Sequence, residues 1–153
     1  MKGVENVPKA GSAKGLKIGI VASRYNSFAV DRMVAAAVEY IERCGGRVES
    51  IKSAPGAFEL PLAVQKMIEM EKPDAVMAFG VVIKGETPHF DYVSSSCIQG
   101  LASVSLKTGI PVGMGVLTVL DVDQAKARSG ENRENKGYET AAATIEMANL
   151  YRT

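Results

Sequence analysis

Asp74-Ala-Val-Met-Ala-Phe-Gly-Val-Val-Ile83 is the stretch that decides the fold of this 153-residue chain. Apart from its first residue it is entirely apolar, and a near-continuous apolar run is typical of a parallel strand that is covered on both faces. We therefore predict that residues 74–83 form a central parallel strand with helices packed against both sides of the sheet.

The segments around this strand alternate between strand and helix patterns. Val34, Val38 and Ile41 recur at helical spacing before Gly45-Gly46 end the pattern. The predicted strands are 16–22, 47–53, 74–83 and 111–119, and the predicted helices are 58–70, 91–107, 121–128, 137–152 and 27–44. This alternation predicts an α/β fold with a parallel sheet and right-handed crossovers.

Composition describes an ordinary globular domain. The chain is 46% hydrophobic and 23% charged, and its net charge is +1. We predict a single domain over residues 1–153, with no nucleic-acid or membrane partner, because neither a basic surface nor a long apolar run is present. Two widely spaced cysteines, Cys44 and Cys97, are predicted to be free thiols, and a cytoplasmic location follows as the default expectation.

Residues 1–15 form a predicted N-terminal arm. Gly3, Pro8, Gly11 and Gly15 break any regular pattern there. Two interpretations stay open: a loose arm, or a strand that is lent to the sheet of a neighbouring subunit.

Four loops with polar and aromatic residues follow the predicted strands. Ligands of open parallel sheets bind outside the carboxyl ends of the strands, so these loops are expected to form one small-molecule site. The second loop leads into a predicted helix with Glu59 in its first turn. The loops are Arg24-Tyr-Asn-Ser-Phe28, Ala54-Pro-Gly-Ala-Phe-Glu-Leu-Pro61, Lys84-Gly-Glu-Thr-Pro-His89 and the segment from Thr118 to Asp121 that leads to Arg128.

Individual residues in these loops have two interpretations each. His89 is the only histidine, and its imidazole suits proton transfer near neutral pH, but a lone surface or helix-capping histidine is the alternative. Lys84-Gly-Glu-Thr87 precedes a helix and suits an anion, whereas Arg128 lies in a charge run that is more often solvated. Tyr25 either stacks on a planar ring or covers the first helix. Met114, inside a strand, is more often a core residue than a ligand contact.

Six motifs, in order and in nearly constant spacing, resemble the 6,7-dimethyl-8-ribityllumazine synthase family. The resemblance implies a three-layer α/β/α fold with a flavodoxin-like four-stranded parallel sheet in the order 2-1-3-4. It covers the chain from about Leu16 to Arg152. The motifs are Arg24-Tyr-Asn-Ser-Phe28, Pro55-Gly-Ala-Phe-Glu59, Gly80-Val-Val-Ile-Lys-Gly-Glu-Thr-Pro-His-Phe-Asp-Tyr-Val93, Gly115-Val-Leu-Thr118, Asn135-Lys-Gly137 and Ala143-Thr-Ile-Glu-Met-Ala-Asn-Leu150.

The resemblance also implies a reaction. The family condenses 5-amino-6-(D-ribitylamino)uracil with 3,4-dihydroxy-2-butanone 4-phosphate, and it releases phosphate and water. This is the penultimate step of riboflavin biosynthesis. The family uses no organic cofactor and no metal, so none is expected here.

Roles follow position by position from the same resemblance. His89 is implied as the catalytic proton shuttle, and the phosphate is implied to bind the main chain of Glu86 and Thr87 and the side chain of Arg128. The implied pyrimidine and ribityl contacts are Tyr25, Asn26, Ala57, Phe58, Glu59, Val81, Val82, Ile83, Met114 and Lys136.

Departures from the family pattern keep two other functions open. Met114 replaces a common Phe, and Glu131 and Glu134 add carboxylates after Arg128, which would weaken phosphate binding if they point inward. A lumazine- or flavin-binding paralogue without turnover and a mainly structural, shell-forming protein are therefore the alternatives to the enzyme.

Assembly is implied by the resemblance and not by the residues themselves. The family forms homopentamers with active sites shared between adjacent subunits, and some pentamers pack into sixty-subunit icosahedral capsids. The usual spacing from Arg128 to Lys136 is compatible with a capsid, whereas Pro8 would interrupt strand addition to a neighbour. We expect a pentamer as the minimal unit, leave the capsid open, and name riboflavin synthase as a candidate partner.

Overall fold

The computed structural model describes residues 10–152 and contains four strands and five α-helices within that range. The strands are β1 (Ile18–Ser23), β2 (Val48–Ala54), β3 (Ala75–Ile83) and β4 (Val112–Val119). The helices are α1 (Ser27–Arg43), α2 (Leu60–Glu71), α3 (His89–Thr108), α4 (Val122–Ala127) and α5 (Lys136–Leu150). A short 3₁₀ turn, Ala57–Glu59, precedes α2.

The four strands form one parallel sheet in the order β2-β1-β3-β4. The predicted α/β class, the sheet order and the alternation of strands and helices are therefore confirmed. Both central strands, β1 and β3, are covered by helices, and the outer strands β2 and β4 leave one edge each without a partner strand in the described chain.

Strand β3 is the centre of two cores, one on each face of the sheet. Met77 and Phe79 pack on the face covered by α1 and α5, and Val76 and Ala78 pack on the face covered by α2 and α3. All four side chains are fully buried. This double burial explains why the β3 sequence is apolar at successive positions and does not alternate.

Two helix starts differ from the sequence prediction. Helix α2 begins at Leu60 and not at residue 58, because Pro61 fits only the first turn of a helix and the three residues before Leu60 form the 3₁₀ turn. Glu59 therefore lies in that 3₁₀ turn and at the N-cap position of α2, so its predicted place in the first turn of a helix holds for the 3₁₀ turn and not for α2. Helix α3 begins at His89, two residues earlier than predicted, directly after Pro88.

The described part of the N-terminal arm packs against the domain. Ala13 is fully buried, and its N–H donates to the carbonyl of Cys44 at 2.8 Å. The side-chain amide of Asn149 donates to the carbonyls of Ala10 at 3.0 Å and Ser12 at 2.8 Å. Residues 10–15 are thus not loose, and the predictions for residues 1–9 lie outside the described chain.

Both cysteines are free thiols, as predicted: Cys97 is buried and Cys44 is half-buried. Among residues 10–152, no helix has the length and apolar character needed to span a membrane.

Candidate active site

All four strands end at the same rim of the sheet, because they run parallel. Ser23, Ala54, Ile83 and Val119 are the last residues of β1 to β4. The four loops selected from the sequence therefore leave the sheet from one side, where ligands of open parallel sheets bind.

Tyr25 projects from the loop after β1. Its side chain is 67% exposed, so the alternative in which it covers α1 is wrong. Its backbone N–H donates to the carbonyl of Pro55 at 3.1 Å, which ties the first loop to the second. An exposed aromatic face on an anchored backbone suits stacking against a planar ring.

Asn26 connects the first loop to β3. Its backbone adopts the left-handed conformation, with φ of 61°, which asparagine tolerates better than most residues. Its side-chain amide donates to the carbonyl of Val81 at 2.9 Å. One amide N–H and the amide oxygen remain available to a ligand.

The second loop presents an aromatic ring and a carboxylate. Phe58 is 62% exposed, whereas Ala57 is buried beneath the turn. The carboxylate of Glu59 accepts the N–H of Gly56 at 3.1 Å, which is the one side-chain bond of a capping box that is possible when the first residue is glycine. Hydrogen bonding by one oxygen orients the carboxylate and leaves its other oxygen free.

The end of β3 forms the floor between these loops and the third loop. Val81 is buried, and Val82 and Ile83 are half-buried. The N–H of Lys84 donates to the carbonyl of Val119 at 2.9 Å, so the third loop begins beside the end of β4.

Glu86, Thr87 and His89 are exposed in the third loop and at the start of α3. The N–H of His89 donates weakly to the hydroxyl of Thr87 at 3.4 Å. The first N–H groups of a helix lack carbonyl partners within the helix, so the start of this 20-residue helix suits a phosphate group. His89, which is exposed, stands at that same helix start.

Arg128 and Lys136 form a second, separately built cluster. The N–H of Lys136 donates to the carbonyl of Arg128 at 2.8 Å, which closes the loop between them. Arg128 is exposed, and its guanidinium donates to the carbonyl of Gln124 at 3.1 Å. The ammonium of Lys136 lies 3.4 Å from the carboxylate of Glu139.

Asn135 holds that loop together through its side chain, a role that our sequence analysis did not assign to it. It is buried, its amide donates to the carbonyl of Gly130 at 2.9 Å, and its oxygen accepts the N–H of Gly137 at 2.7 Å. An asparagine immediately before a helix is a favoured N-cap, so the sequence signal was present at the start of α5.

Met114 lies apart from both groups. It pairs in register with Ala78 on β3, five residues before the strand reaches the rim at Ile83. At about 3.3 Å per residue this puts it roughly 16 Å below the rim. Its side chain is 40% exposed at the free edge strand, so the core interpretation was wrong, and the structure does not bring it beside Tyr25 of the same chain.

The rim is shallow in a single chain. Two cavities of about 300 Å³ each lie at the opposite, amino-terminal end of the strands, one beside Gly19 and Met67 and one beside Pro111 and Tyr151. The rim residues Tyr25 and Phe58 are instead largely exposed.

Comparison with known proteins agrees with the geometry. Residues 15–152 match the sequence profile of the 6,7-dimethyl-8-ribityllumazine synthase family. A similar protein is the 6,7-dimethyl-8-ribityllumazine synthase of Aquifex aeolicus (strain VF5), which is 46% identical over 144 residues. The alignment covers 93% of this chain and 94% of that protein.

Proposed function

The chain belongs to the 6,7-dimethyl-8-ribityllumazine synthase family, and from that premise we propose the substrates and the role of each residue at the rim. The protein condenses 5-amino-6-(D-ribitylamino)uracil with 3,4-dihydroxy-2-butanone 4-phosphate and releases phosphate and water. The observation that carries the proposal is the set of groups that lie at one rim of the sheet. They are the exposed ring of Tyr25, the oriented carboxylate of Glu59 and the start of α3 at His89.

The first half of the site recognises the ribitylaminouracil. The ring of Tyr25 stacks on the pyrimidine, with Asn26 beside it and with Val81, Val82 and Ile83 as the edge against which the pyrimidine lies. Glu59 binds the ribityl hydroxyls, and Ala57 and Phe58 complete that contact. A carboxylate–hydroxyl hydrogen bond is charge-assisted and therefore stronger than a hydrogen bond between neutral groups.

The second half of the site holds the phosphorylated butanone. The main-chain N–H groups at Glu86 and Thr87 cradle the phosphate, and the guanidinium of Arg128 binds it through two oxygens. A fixed cation also stabilises the departing phosphate, because negative charge develops on it as the bond breaks.

His89 moves the protons. Schiff-base formation, phosphate elimination and ring closure each need a proton to be added or removed, and a positioned imidazole accelerates such steps roughly 10²–10⁴-fold. Much of the remaining acceleration comes from holding two substrates in one cleft.

A second copy of the chain completes each site. Met114 is exposed on the free edge strand about 16 Å below its own rim, so it lines a pyrimidine pocket only if that pocket belongs to an adjacent subunit. Arg128 and Lys136 are proposed to reach the neighbour's site in the same way. We propose a homopentamer as the minimal assembly, with a sixty-subunit capsid, a cytoplasmic location and association with riboflavin synthase as further proposals.

The two added carboxylates, Glu131 and Glu134, bear on the choice between an enzyme and a binding-only paralogue. Tyr138 has a raised pKa through burial, through its hydrogen bond to Glu39 and, to a smaller extent, through the charge of Glu131. The charge of Glu131 thus acts on Tyr138, which lies on α5. Glu134 is exposed, and the binding-only paralogue remains the second candidate because Met114 offers a softer surface than an aromatic ring.

Incubation with both substrates tests the proposal. The wild-type protein is expected to form the lumazine, followed by its absorbance, together with one equivalent of phosphate, and to form neither when one substrate is omitted. Arg128→Ala should chiefly raise KM for the phosphorylated butanone. Tight binding of the ribityllumazine without any condensation would select the binding-only paralogue and reject the enzyme.

A further inference from the structure

We infer that Gly56 is a positioning residue that holds both side chains proposed to recognise the ribitylaminouracil, the ring of Tyr25 and the carboxylate of Glu59. The inference rests on the proposed function and adds a residue to the site that carries no side chain of its own.

The ring of Tyr25 occupies the space that a side chain at position 56 would fill. A Cβ built on Gly56 would lie 2.6 Å from Cδ2 and 2.9 Å from Cε2 of Tyr25. The backbone of Gly56 is extended, with φ of −144° and ψ of −175°, a conformation that any residue adopts. Glycine is therefore required here by the aromatic ring and not by the backbone.

The same residue orients the carboxylate. The N–H of Gly56 donates to Oε2 of Glu59 at 3.1 Å, and a Cβ on Gly56 would lie 3.4 Å from that oxygen. With one oxygen held by the backbone, the other is directed to the ribityl hydroxyls. The two recognition groups thus share one support, although they belong to loops that follow different strands.

The backbone that carries the ring has little freedom to move away from an added methyl group. The N–H of Tyr25 is held by the carbonyl of Pro55, and the side chain of the next residue, Asn26, is held by the carbonyl of Val81. A methyl group at position 56 would therefore tilt the ring of Tyr25 and leave its backbone in place. A tilted ring overlaps the pyrimidine less well, so the expected loss is in binding of the uracil.

The test is a double-mutant cycle on ligand binding. Gly56→Ala is expected to raise the Kd for 5-amino-6-(D-ribitylamino)uracil about tenfold, which is within what base–aromatic stacking contributes. The saturated kcat should change far less. In a Tyr25→Ala background the same substitution should raise Kd less than about twofold, because the ring it displaces is absent.

Gly19→Ala is the matched control. A Cβ at Gly19 would also meet a side chain too closely, the sulfur of Met67, but at the other end of β1. This variant is expected to lower the melting temperature without changing the Kd. The control separates a general packing defect from a displaced recognition group.

An unchanged Kd for the uracil in Gly56→Ala would overturn the inference. So would a double variant whose increase in Kd equals the product of the increases in the two single variants. If Gly56→Ala fails to fold, the double variant decides: recovery of folding on removal of the ring supports the steric conflict, and continued failure contradicts it. A wild-type protein that neither binds nor converts the uracil would instead reject the proposed function.

Discussion

At the scale of single residues, the sequence predicted which reactive or aromatic side chains lie at the rim, but it did not predict which residues hold them in position. Tyr25, Glu59 and His89 stand out because loops after parallel strands meet at one rim. Gly56 gave no such signal, because its contact with Tyr25 joins loops that follow different strands and is created only by the packed sheet.

His89→Ala tests the proton shuttle. We expect kcat to fall roughly 10²–10⁴-fold, while the Kd for the ribitylaminouracil changes less than about threefold, because the imidazole acts in proton transfer and not in pyrimidine binding. Steady-state kinetics and a binding titration measure the two effects. Added imidazole should restore part of the rate, and a variant with wild-type kcat would exclude His89 from the chemistry.

Cys97 makes a pH-dependent contribution to stability. Burial raises the pKa of its thiol from the ordinary 9.0 to about 11. Because the folded-state pKa is the higher one, the contribution is complete below about pH 9 and is lost as the pH rises through 11. The free energy of unfolding should fall by about 1–2 kcal/mol over that window.

Cys97→Ala provides the comparison for this pH dependence. The variant lacks the thiol, so its unfolding free energy should decline less steeply across the same range, even though its stability is lower throughout. Urea titrations at closely spaced pH values measure both slopes. Equal slopes in the two proteins would show that Cys97 does not titrate as its burial implies.

At the scale of helices and strands, all four strands and all five α-helices of the described chain were predicted, the 3₁₀ turn before α2 was not, and local caps decided the boundaries. Pro61 moved the start of α2, and Pro88 moved the start of α3. The prediction that Met114 is a core residue was wrong, because it assumed that a side chain in the interior of a strand is buried in the core. Strand β4 lies at the edge of the sheet, where a side chain on the helix-covered face can still reach solvent.

Helices α1 and α5 meet at Gly137. A Cβ there would overlap the carbonyl oxygen of Met33 and would lie 2.9 Å from Oδ1 of Asn135. Backbone cannot move aside as a flexible side chain can, so Gly137→Ala should lower the free energy of unfolding by about 3 kcal/mol.

Gly85→Ala is the control for this substitution, because a Cβ at Gly85 meets no atom within 4 Å. Its unfolding free energy should stay within about 0.5 kcal/mol of wild type. Chemical denaturation of the three proteins gives the comparison. A Gly137→Ala protein as stable as the Gly85→Ala protein would contradict the close approach of the two helices.

At the scale of the whole molecule, the topology was predictable and the assembly was only implied. The alternation of segments predicted a parallel sheet, and the observed strand order agrees with the order that the family resemblance implied. A sequence cannot show how far Tyr25 and Phe58 remain exposed at the rim after folding. Their exposure in the single chain supports the proposal that a second copy completes the site.

Complementation between two damaged proteins tests most directly whether one site is built from two copies. Tyr25→Ala damages the pyrimidine half and Arg128→Ala damages the phosphate half, so at substrate concentrations well below the KM values of both variants each protein alone should be nearly inactive. In mixed assemblies formed by co-expression in equal amounts, about one interface in four combines two intact halves, since each interface has four possible pairings. We predict lumazine formation at about a quarter of the wild-type rate; activity no higher than the average of the two separate variants would contradict the shared site.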